Sequence, residues 1–593
     1  MERTMRAEAT EAENQVNWIE RTVSARYMRM LRAGVWASTI VAGLLEAWAN
    51  RFCLSPDAVN YLDIASAYLR GHWKNAVNAY WSPLFSWLLA AGLALTHPSG
   101  YWESTLVHAV NFAGLLVTLR CFEYFFSGAL EARKGFSELS PETEAVPELA
   151  QWALGYGVFL STIFFVELTP TTTTPDIWVC ALTCLAGGLM LRIWARGGGW
   201  GRYGALGVTL GCAYLAKAFY FPMSFVFLLT AWLAGGNPRK TLKQAVLATM
   251  LFAAIALPWV VAVSREKGRW TFGDVGKLAF VMTIDRVVQP LFWQGENDTG
   301  TPMHPVRQVL SKPRLFEFAT PIGGTYPPGL GWSYWMEGAE PHFDLRGQLA
   351  VLRQSFGTFV QLFFFQAEFA AGLVIFLLLA TGSEKWEGPA GWMSYFLPAP
   401  LIACCGYGVV LVEGRYVAPF LLLLWVAAYC GAFQAVSGIS RRTALCVVLG
   451  VVGIGGLRVA KMMESNLVVL LAKPQNVDWE VAQALKGLGL QPGDGVGVLC
   501  TARETQWARI AGVKVVAEIP LGEEQAFWTG SAEAKERVFA AFAASGARMV
   551  VTNGPPMHAP QEGWVALGQT AFYVHVLPGA RGEKQERAAP PKG

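Results

Sequence analysis

Residues 177–234 decide the fold of this chain and read IWVCALTCLAGGLMLRIWARGGGWGRYGALGVTLGCAYLAKAFYFPMSFVFLLTAWLA. The segment contains three apolar runs in close succession, at 177–194, 203–217 and 218–234. A membrane-spanning helix needs roughly 20 mostly apolar residues, because the hydrocarbon core offers no water to the backbone polar groups. The segment therefore predicts a group of closely spaced membrane helices.

The composition of the whole chain agrees with a membrane protein. Of its 593 residues, 53% are hydrophobic and 15% are charged, and the mean hydropathy is +0.34. Soluble domains carry about 25% charged residues, so the composition excludes a soluble protein of this length. It also excludes a disordered chain, because so much apolar surface demands burial. The net charge of +4 is small and evenly spread, so no nucleic-acid partner is expected.

Eleven apolar runs are predicted as membrane spans, two of them short. They are 33–50, 104–126, 149–168, 177–194, 203–217, 218–234, 244–263, 358–380, 391–412, 416–436 and 443–461. A twelfth run, 82–96, is short and begins with Ser82-Pro83, so we interpret it as re-entrant. If it were counted as a crossing, three loops that contain Lys and Arg would lie outside the cell. Lys and Arg are enriched in cytoplasmic loops, so this arrangement is disfavoured.

The basic residues also orient the chain. Arg21, Arg26, Arg29 and Arg32 precede the first span, which places the N-terminal segment, 1–32, in the cytoplasm. We therefore predict an integral protein of the cell (inner) membrane with a cytoplasmic N-terminus and an extracytoplasmic C-terminal domain.

The remaining regions complete the predicted domain organisation. An all-α polytopic transmembrane domain covers 33–463 and carries two outer loops, 51–103 and 264–357. A small extracytoplasmic α/β domain follows at 464–580, and the last residues, 581–593, are predicted to be disordered. The expected strands of this domain are 496–500, 513–519, 548–553 and 572–577, and its expected helices are 481–488 and 531–544.

Four titratable residues lie at the predicted outer ends of different spans. A titratable side chain at membrane depth is costly and is therefore a candidate for function. The four are Asp57, Asp176, Lys217 and Arg415. Each has a structural alternative, which is a helix N-cap for either aspartate, a snorkelling side chain for Lys217 and a salt bridge to Glu413 for Arg415.

Five further polar residues of the outer loops are candidates for supporting or acceptor-binding contacts. They are Asp63, His72, Lys74, His304 and Arg307. Each taken alone is also a common type of solvated loop residue. The apolar spacing after Pro56 predicts a helix at the membrane interface, on which Asp57 and Asp63 fall on different faces. The seven His and ten Cys form no CxxC or HExxH pattern, so no zinc motif is predicted.

These residue types suit one kind of chemistry. Two cations at the membrane surface can hold the phosphate of a lipid anchor, and a carboxylate near them can act as a general base. A lipid phosphate leaves readily once its charge is stabilised, so no general acid is needed. Direct displacement with a single base inverts the anomeric centre, whereas a covalent intermediate needs a second carboxylate close by.

Four motifs occur in an order that is similar to a known class of enzymes. They are Pro56-Asp57-Ala58-Val59-Asn60-Tyr61 followed by Tyr80-Trp81-Ser82-Pro83-Leu84, the aspartate Asp176 at an outer span start, Ala216-Lys217-Ala218-Phe219, and Arg415-Tyr416-Val417-Ala418-Pro419. In these motifs the sequence resembles the polytopic GT-C glycosyltransferases, and among them the protein O-mannosyltransferase and aminoarabinose (lipid A) transferase branch. The resemblance covers residues 30–440.

The resemblance implies a role for each matched residue. It implies that Asp57 is the catalytic carboxylate, that Lys217 and Arg415 hold the donor phosphate, and that Asp176 is a supporting or metal-associated residue. The implied reaction moves a hexosyl or pentosyl group from a polyprenyl-phosphate donor to a hydroxyl of a protein, glycan or lipid acceptor. No cofactor is implied as required.

The sequence also departs from the pattern of the family. Many relatives have Glu directly after the first-loop aspartate, where this chain has Ala58. The Glu-Lys pair that one branch places before its YW-type segment is absent, and Lys74 is the nearest basic residue. A divalent metal is therefore possible but unsupported by these residues.

Two other functions are compatible with a polytopic chain. A lipid or solute transporter, or a flippase, would carry polar residues at mid-membrane and breaks in paired halves; here no half-repeat is visible and the polar set lies at one surface. A non-catalytic scaffold would present the C-terminal domain to a partner, and its polar residues would be exposed or paired separately.

Overall fold

The computed structural model describes residues 2–134, 146–287, 289–318, 320–380, 391–435, 440–499, 504–554 and 563–578. The predicted disordered tail, 581–593, lies outside these residues.

The first half of the chain is helical. Its helices are α1 (Glu2–Ala49), α2 (Pro56–Leu69), α3 (Trp73–Ala76), α4 (Pro83–Thr96), α5 (Glu103–Lys134), α6 (Glu148–Phe165), α7 (Asp176–Arg196), α8 (Trp200–Ala216), α9 (Tyr220–Ala234), α10 (Pro238–Lys267) and α11 (Val275–Thr283). The long outer loop then contains β1 (Arg307–Ser311), β2 (Arg314–Glu317), α12 (Pro327–Leu330) and α13 (Trp332–Trp335).

The second half returns to helices before it ends in a mixed domain. Its helices are α14 (Leu345–Phe365), α15 (Ala367–Ala380), α16 (Gly391–Phe396), α17 (Pro398–Gly408), α18 (Gly414–Ala435) and α19 (Arg441–Leu471). The C-terminal domain contains α20 (Val477–Gly487), β3 (Gly495–Leu499), α21 (Gln506–Ala511), β4 (Lys514–Ile519), α22 (Glu524–Trp528), α23 (Ala532–Ala544), β5 (Ala547–Asn553), β6 (Trp564–Ala566) and β7 (Phe572–Val576).

Seven segments in the described part of the chain are long and apolar enough to cross a membrane. They are Ala25–Ala49, Glu103–Arg133, Glu148–Thr172, Asp176–Arg196, Pro238–Lys267, Gly414–Phe433 and Arg441–Leu471. An eighth results if α14 and α15 are counted as one span. The class predicted from the sequence, a helical polytopic membrane protein with a small C-terminal α/β domain, is confirmed, whereas the count of eleven spans stays a prediction.

Two of the predicted spans are not continuous helices. Run 358–380 is broken at Gln366, where α14 and α15 meet at 81°. At the break, the side-chain nitrogen of Gln366 donates to Thr162 Oγ1 at 2.8 Å and its side-chain oxygen accepts from Trp425 Nε1 at 2.8 Å, so two neighbouring helices hold this side chain. Run 391–412 is divided at Leu397, where α17 begins with Pro398. Proline has no amide N–H, so it cannot continue the hydrogen bonds of the preceding helix.

Run 82–96 forms the helix α4, which has 14 residues. A helix of this length spans about 21 Å, less than the roughly 30 Å of a hydrocarbon core. It begins at Pro83 and ends at Thr96, and the capping residue that follows, His97, has a left-handed φ of 43°. The helix is therefore too short to cross the core upright, and its re-entrant nature stays a prediction.

The C-terminal sheet has an unexpected composition. Its strand order is β1-β2-β4-β3-β5-β7-β6, and β4, β3 and β5 are parallel. Strands β1 and β2 come from the long outer loop, and Glu317 of β2 pairs with Ala517 of β4. The sequence analysis assigned no strand to this loop, and its two strands extend the sheet at the edge of β4. The boundary predicted after residue 463 falls within α19, which continues to Leu471.

Helix α2 positions the candidate site and is held on most of its faces. The side chain of Ser55 caps it by accepting from the Ala58 amide at 3.3 Å. Residues 58–65 are all buried, and the helix packs against Phe85 and Leu89 of α4 and Val107 of α5. The helix predicted after Pro56 is present, but it is enclosed by protein rather than lying free at the membrane surface.

Candidate active site

Asp57 stands in the first turn of α2, and its carboxylate faces Arg415. Arg415 Nη1 donates to Asp57 Oδ2 at 3.3 Å. The Asp57 side chain is 35% exposed, so it is reachable from outside the protein. Because Ser55 supplies the capping oxygen of α2, the interpretation of Asp57 as an N-cap is wrong.

Lys217 occupies the break between α8 and α9. Its backbone is extended, with φ of −155°, and this turns the side chain inward. The ammonium donates to Asp176 Oδ1 at 2.6 Å and lies 3.5 Å from the centroid of the Tyr416 ring. The side chain is 19% exposed, so Lys217 does not snorkel to the surface.

Asp176 is the first residue of α7 and is almost completely enclosed. Its Oδ2 accepts from Thr174 Oγ1 at 2.7 Å, while its Oδ1 accepts from Lys217. No capping hydrogen bond from its side chain to α7 occurs among the described residues, and the preceding Pro175 takes the N-cap position. The carboxylate therefore serves as a partner for cations rather than as a cap.

Arg415, at the start of α18, connects these groups. Its Nε donates to Glu413 Oε2 at 2.7 Å, which confirms the salt bridge expected from the sequence. Its Nη1 lies 3.3 Å from Asp57 and 4.0 Å from Asp176 Oδ2. Residues from four distant parts of the chain, Asp57, Asp176, Lys217 and Arg415, therefore form one chain of ion pairs.

The charges of this cluster affect the protonation of Asp57. Three carboxylates, Asp57, Asp176 and Glu413, surround the cations Lys217 and Arg415. Burial raises the pKa of Asp57, the positive charge of Arg415 opposes this, and the negative charges of Glu413 and Asp176 add to the rise. A carboxylate with a raised pKa is a better proton acceptor near neutral pH.

Aromatic residues line one side of the cluster. The rings of Tyr80 and Trp332 stack at 5.5 Å between centroids, with 15° between their planes. Burial and then the charge of Asp57 raise the pKa of Tyr80 above its usual value. The Asn78 amide donates to the Leu330 carbonyl at 2.8 Å, which ties the long outer loop to this side.

The sequence did not predict the roles of these aromatic rings. Tyr416 stands inside the R-Y-x-x-P motif, and a search for rings next to motif cations would have identified it. Trp332 belongs to the long outer loop, for which no signal in the sequence indicated a contact with Tyr80.

The other predicted site residues lie away from the cluster, and no described hydrogen bond or ion pair joins them to it. They are Asp63, His72, Lys74, His304 and Arg307. His304 stacks on Tyr334 at 4.3 Å and lies 3.5 Å from Glu337, within the outer loop. Arg307 pairs with Glu317 across the strands β1 and β2.

The remaining three are in or near α2 and α3. His72 and Lys74 are exposed, at the start of α3. Asp63 is buried, and it accepts from the amide of Thr325 at 2.6 Å and from Arg509 Nη1 at 2.5 Å. Contacts of these residues with a substrate stay predictions.

The carboxylates of the site do not form a metal centre on their own. Across the described ranges, no group of three or more His, Cys, Asp and Glu side chains has a spacing that could hold a metal ion. Asp57, Asp176 and Glu413 instead lie around the guanidinium of Arg415.

A cavity of about 360 Å³ lies beside the segment that leads into the site. Its walls come from α11, α14 and the turn before Glu413, and they include Met282, Val351, Leu411 and Val412. Arg286 contributes an exposed cation to its lining. The cavity is of mixed character, because Thr283, Gln354, Ser355 and Thr358 line it together with the apolar residues and Arg286.

Comparisons with known proteins give structural matches only. No family model and no curated protein sequence matches the chain. The chain is similar to ArnT from Cupriavidus metallidurans bound to undecaprenyl phosphate, at 13% identity and a TM-score of 0.41, over 92% of this chain and 97% of that chain. It is also similar to the Archaeoglobus fulgidus oligosaccharyltransferase tethered with an acceptor peptide, at 12% identity and a TM-score of 0.46, over 88% of this chain and 69% of that chain.

A third match is AglB from Archaeoglobus fulgidus in complex with an inhibitory peptide and a dolichol-phosphate. It has 14% identity and a TM-score of 0.41, over 88% of this chain and 69% of that chain. These matches are GT-C fold glycosyltransferases, the class that the sequence motifs resemble. Because these identities and TM-scores are low, the function has to be argued from the residues of this chain.

Proposed function

We propose that this protein is a membrane glycosyltransferase that moves a sugar from a polyprenyl-phosphate donor to an acceptor hydroxyl on the extracytoplasmic side. The observation that carries the proposal is the meeting of Asp57, Lys217 and Arg415 in one cluster of ion pairs. A scaffold would leave these residues exposed or paired separately. A transporter would place its polar residues along a path at mid-membrane.

Lys217 and Arg415 are the groups that hold the donor phosphate. Both cations are already paired with carboxylates, so their charges are oriented before the donor arrives. When the bond between the sugar and the phosphate breaks, negative charge grows on the phosphate oxygen. Oriented cations stabilise this charge in the transition state, and this lowers the barrier.

Asp57 is the general base. Its carboxylate takes the proton of the acceptor hydroxyl while the hydroxyl oxygen forms a bond to the anomeric carbon. The bond from that carbon to the phosphate oxygen breaks, and the lipid phosphate leaves with the electron pair. The displacement is direct and inverts the anomeric centre. Asp176 binds Lys217 and orients it, without contact to the sugar.

The donor and acceptor are proposed by chemical class. In the cavity beside the Glu413 turn, the apolar side chains of Met282, Val351 and Leu411 stand among polar ones and can contact part of a polyprenyl chain. Hexosyl and pentosyl donors both fit this chemistry, as do protein, glycan and lipid acceptors. No resident cofactor enters the proposed steps.

The test uses purified full-length protein in lipid and a panel of polyprenyl-phosphate sugars. Release of free lipid phosphate is followed for the wild type and for Asp57→Asn. We expect release from at least one donor, and a loss of about 10²- to 10⁴-fold in the variant. A variant that expresses equally and retains full activity would show that Asp57 is not the base.

A further inference from the structure

Arg509 belongs to α21 of the C-terminal domain, but its guanidinium binds helix α2. Its Nη1 donates to Asp63 Oδ1 at 2.5 Å, and its Nη2 donates to Ser66 Oγ at 3.0 Å. Both acceptors stand on α2, the helix that carries Asp57. The side chain is only 10% exposed, so these bonds are shielded from water.

The other edge of the same guanidinium binds helix α5. Arg509 Nε donates to Glu103 Oε2 at 2.8 Å, and Nη2 donates to Glu103 Oε1 at 3.1 Å. Glu103 is the first residue of α5. A bidentate bond between a guanidinium and a carboxylate is directional, so Arg509 holds α2 and α5 at a defined distance and angle.

Two further contacts make this junction rigid. Asp63 also accepts from the Thr325 amide at 2.6 Å and from Thr325 Oγ1 at 3.0 Å, which adds the long outer loop. Gln506, three residues before Arg509, donates to the Phe52 carbonyl at 3.1 Å, just before α2 begins. The C-terminal domain therefore holds α2 at its entry and along its length.

Asp57 itself has few bonds of its own. Within the described residues, its carboxylate has a single side-chain hydrogen bond, the 3.3 Å contact from Arg415, and this length is beyond the usual range for N–H···O bonds. The position of the carboxylate therefore depends on the position of α2. Asp63 lies six residues further along, about 9 Å along the helix axis.

We propose that Arg509 is a positioning residue for Asp57: it locks α2 to α5 and to the C-terminal domain, and it thereby sets the distance between Asp57 and Arg415. The inference rests on the proposed function. It gives the C-terminal domain a role in the reaction, although that domain contributes no residue to the ion-pair cluster.

The first test measures how firmly α2 is held in place, and it needs no enzymatic assay. Amide hydrogen exchange of α2 is compared in full-length wild type, Arg509→Lys and the control Arg314→Lys. The control weakens the pair between Arg314 of β2 and Glu523 of the C-terminal domain, a pair that includes no residue of α2. We expect about tenfold faster exchange across residues 58–66 in Arg509→Lys only. Unchanged exchange would overturn the proposal.

The second test measures the consequence for the reaction. Lysine keeps the charge but lacks the fork, so we expect kcat to fall about 10- to 100-fold while the donor KM stays nearly constant. As the pH falls, we also expect the variant to lose activity at a higher pH than the wild type does. The reason is that Asp57 then lies farther from the positive charge of Arg415, which lowers its pKa. Faster exchange with an unchanged kcat would contradict the positioning role.

A second variant and the donor assay of the wild type keep the possible outcomes distinct. If Arg509→Lys does not fold, Asp63→Asn breaks the same junction with a smaller change and is expected to show the same pattern. If the wild type releases lipid phosphate from no donor, the proposed function fails and the catalytic role of Arg509 fails with it. The exchange result would then still report whether Arg509 holds α2.

Discussion

Lys217 and Asp176 form an ion pair of 2.6 Å although they stand 41 positions apart in the chain. The pair links the start of α7 to the break after α8 and places the ammonium over the ring of Tyr416. The ion pair therefore fixes the direction of a side chain that is otherwise flexible.

Lys217→Met is expected to weaken the use of the lipid donor. The variant removes the ammonium and leaves the enclosed carboxylate of Asp176 with Thr174 and the more distant Arg415. A hydrogen bond to a charged group contributes about 1.5–3 kcal/mol, so the donor KM should rise roughly 10- to 150-fold. The measurement is steady-state kinetics with donor and acceptor varied separately.

The matched control for this prediction is Lys243→Met, an exposed lysine of α10. It should leave both KM values unchanged. Equal losses for donor and acceptor in Lys217→Met would indicate a folding defect instead of a lost phosphate contact.

The pH dependence of kcat should follow the charges around Asp57. The base must be ionised, so activity should fall as the pH drops through the raised pKa of Asp57. Arg415 lowers this pKa and Glu413 raises it. Arg415→Gln should therefore move the acidic limb to higher pH, and Glu413→Gln should move it to lower pH. Shifts in the same direction in both variants would contradict the assignment of Asp57 as the titrating base.

The junction between α20 and α21 should be sensitive to pH. Burial raises the pKa of Asp478 to about 6, and donation from the Trp507 amide opposes the rise. Because the pKa is higher than in the unfolded chain, its contribution to stability is full below about pH 4 and is lost as the pH rises through about 6.

Asp478→Asn should therefore remove this pH dependence. The free energy of unfolding at about pH 8 should increase by roughly 1–3 kcal/mol. Thermal unfolding of the full-length protein, followed by tryptophan fluorescence on both sides of this range, measures the effect. A lower unfolding temperature of the variant at about pH 8 would contradict the prediction.

Helices α8 and α10 meet at Gly207. A Cβ at this position would overlap the carbonyl oxygen of Ala248, and small residues allow such close helix contacts in membranes. Gly207→Ala should destabilise the protein by about 1–3 kcal/mol, because the backbones must separate. Gly201→Ala, in the same helix with open space around it, is the matched control. Unfolding midpoints in detergent compare the two, and equal midpoints would contradict the close contact.

The sequence predicted the class of fold because lipid imposes a simple rule. Long apolar runs such as 177–194 must be helices in a membrane, and α7 follows that run closely. The core of the C-terminal domain was also predictable, since β3, β4, β5 and β7 coincide with alternating or apolar stretches bounded by turns. The break at Gln366 was not, because the partners of its side chain, Thr162 and Trp425, lie on other helices.

The candidate site was predictable in part. Asp57, Asp176, Lys217 and Arg415 were found because titratable side chains at membrane depth are costly and therefore rare. Their pairing could not be derived, because it depends on how α2, α7, α8 and α18 pack. Arg509 gave no signal at all, since an arginine in a polar domain is ordinary until its acceptors on α2 and α5 are known.

The C-terminal sheet combines strands from two distant parts of the chain, and this has a consequence for biosynthesis. Glu317 of β2 pairs with Ala517 of β4, so the ribosome makes the first partner about 200 residues before the second. The exposed edge of the early hairpin has to wait while several hydrophobic segments enter the bilayer. Such an edge invites wrong partners, so completion of the sheet is expected to be a late step and to benefit from chaperones on the same side of the membrane.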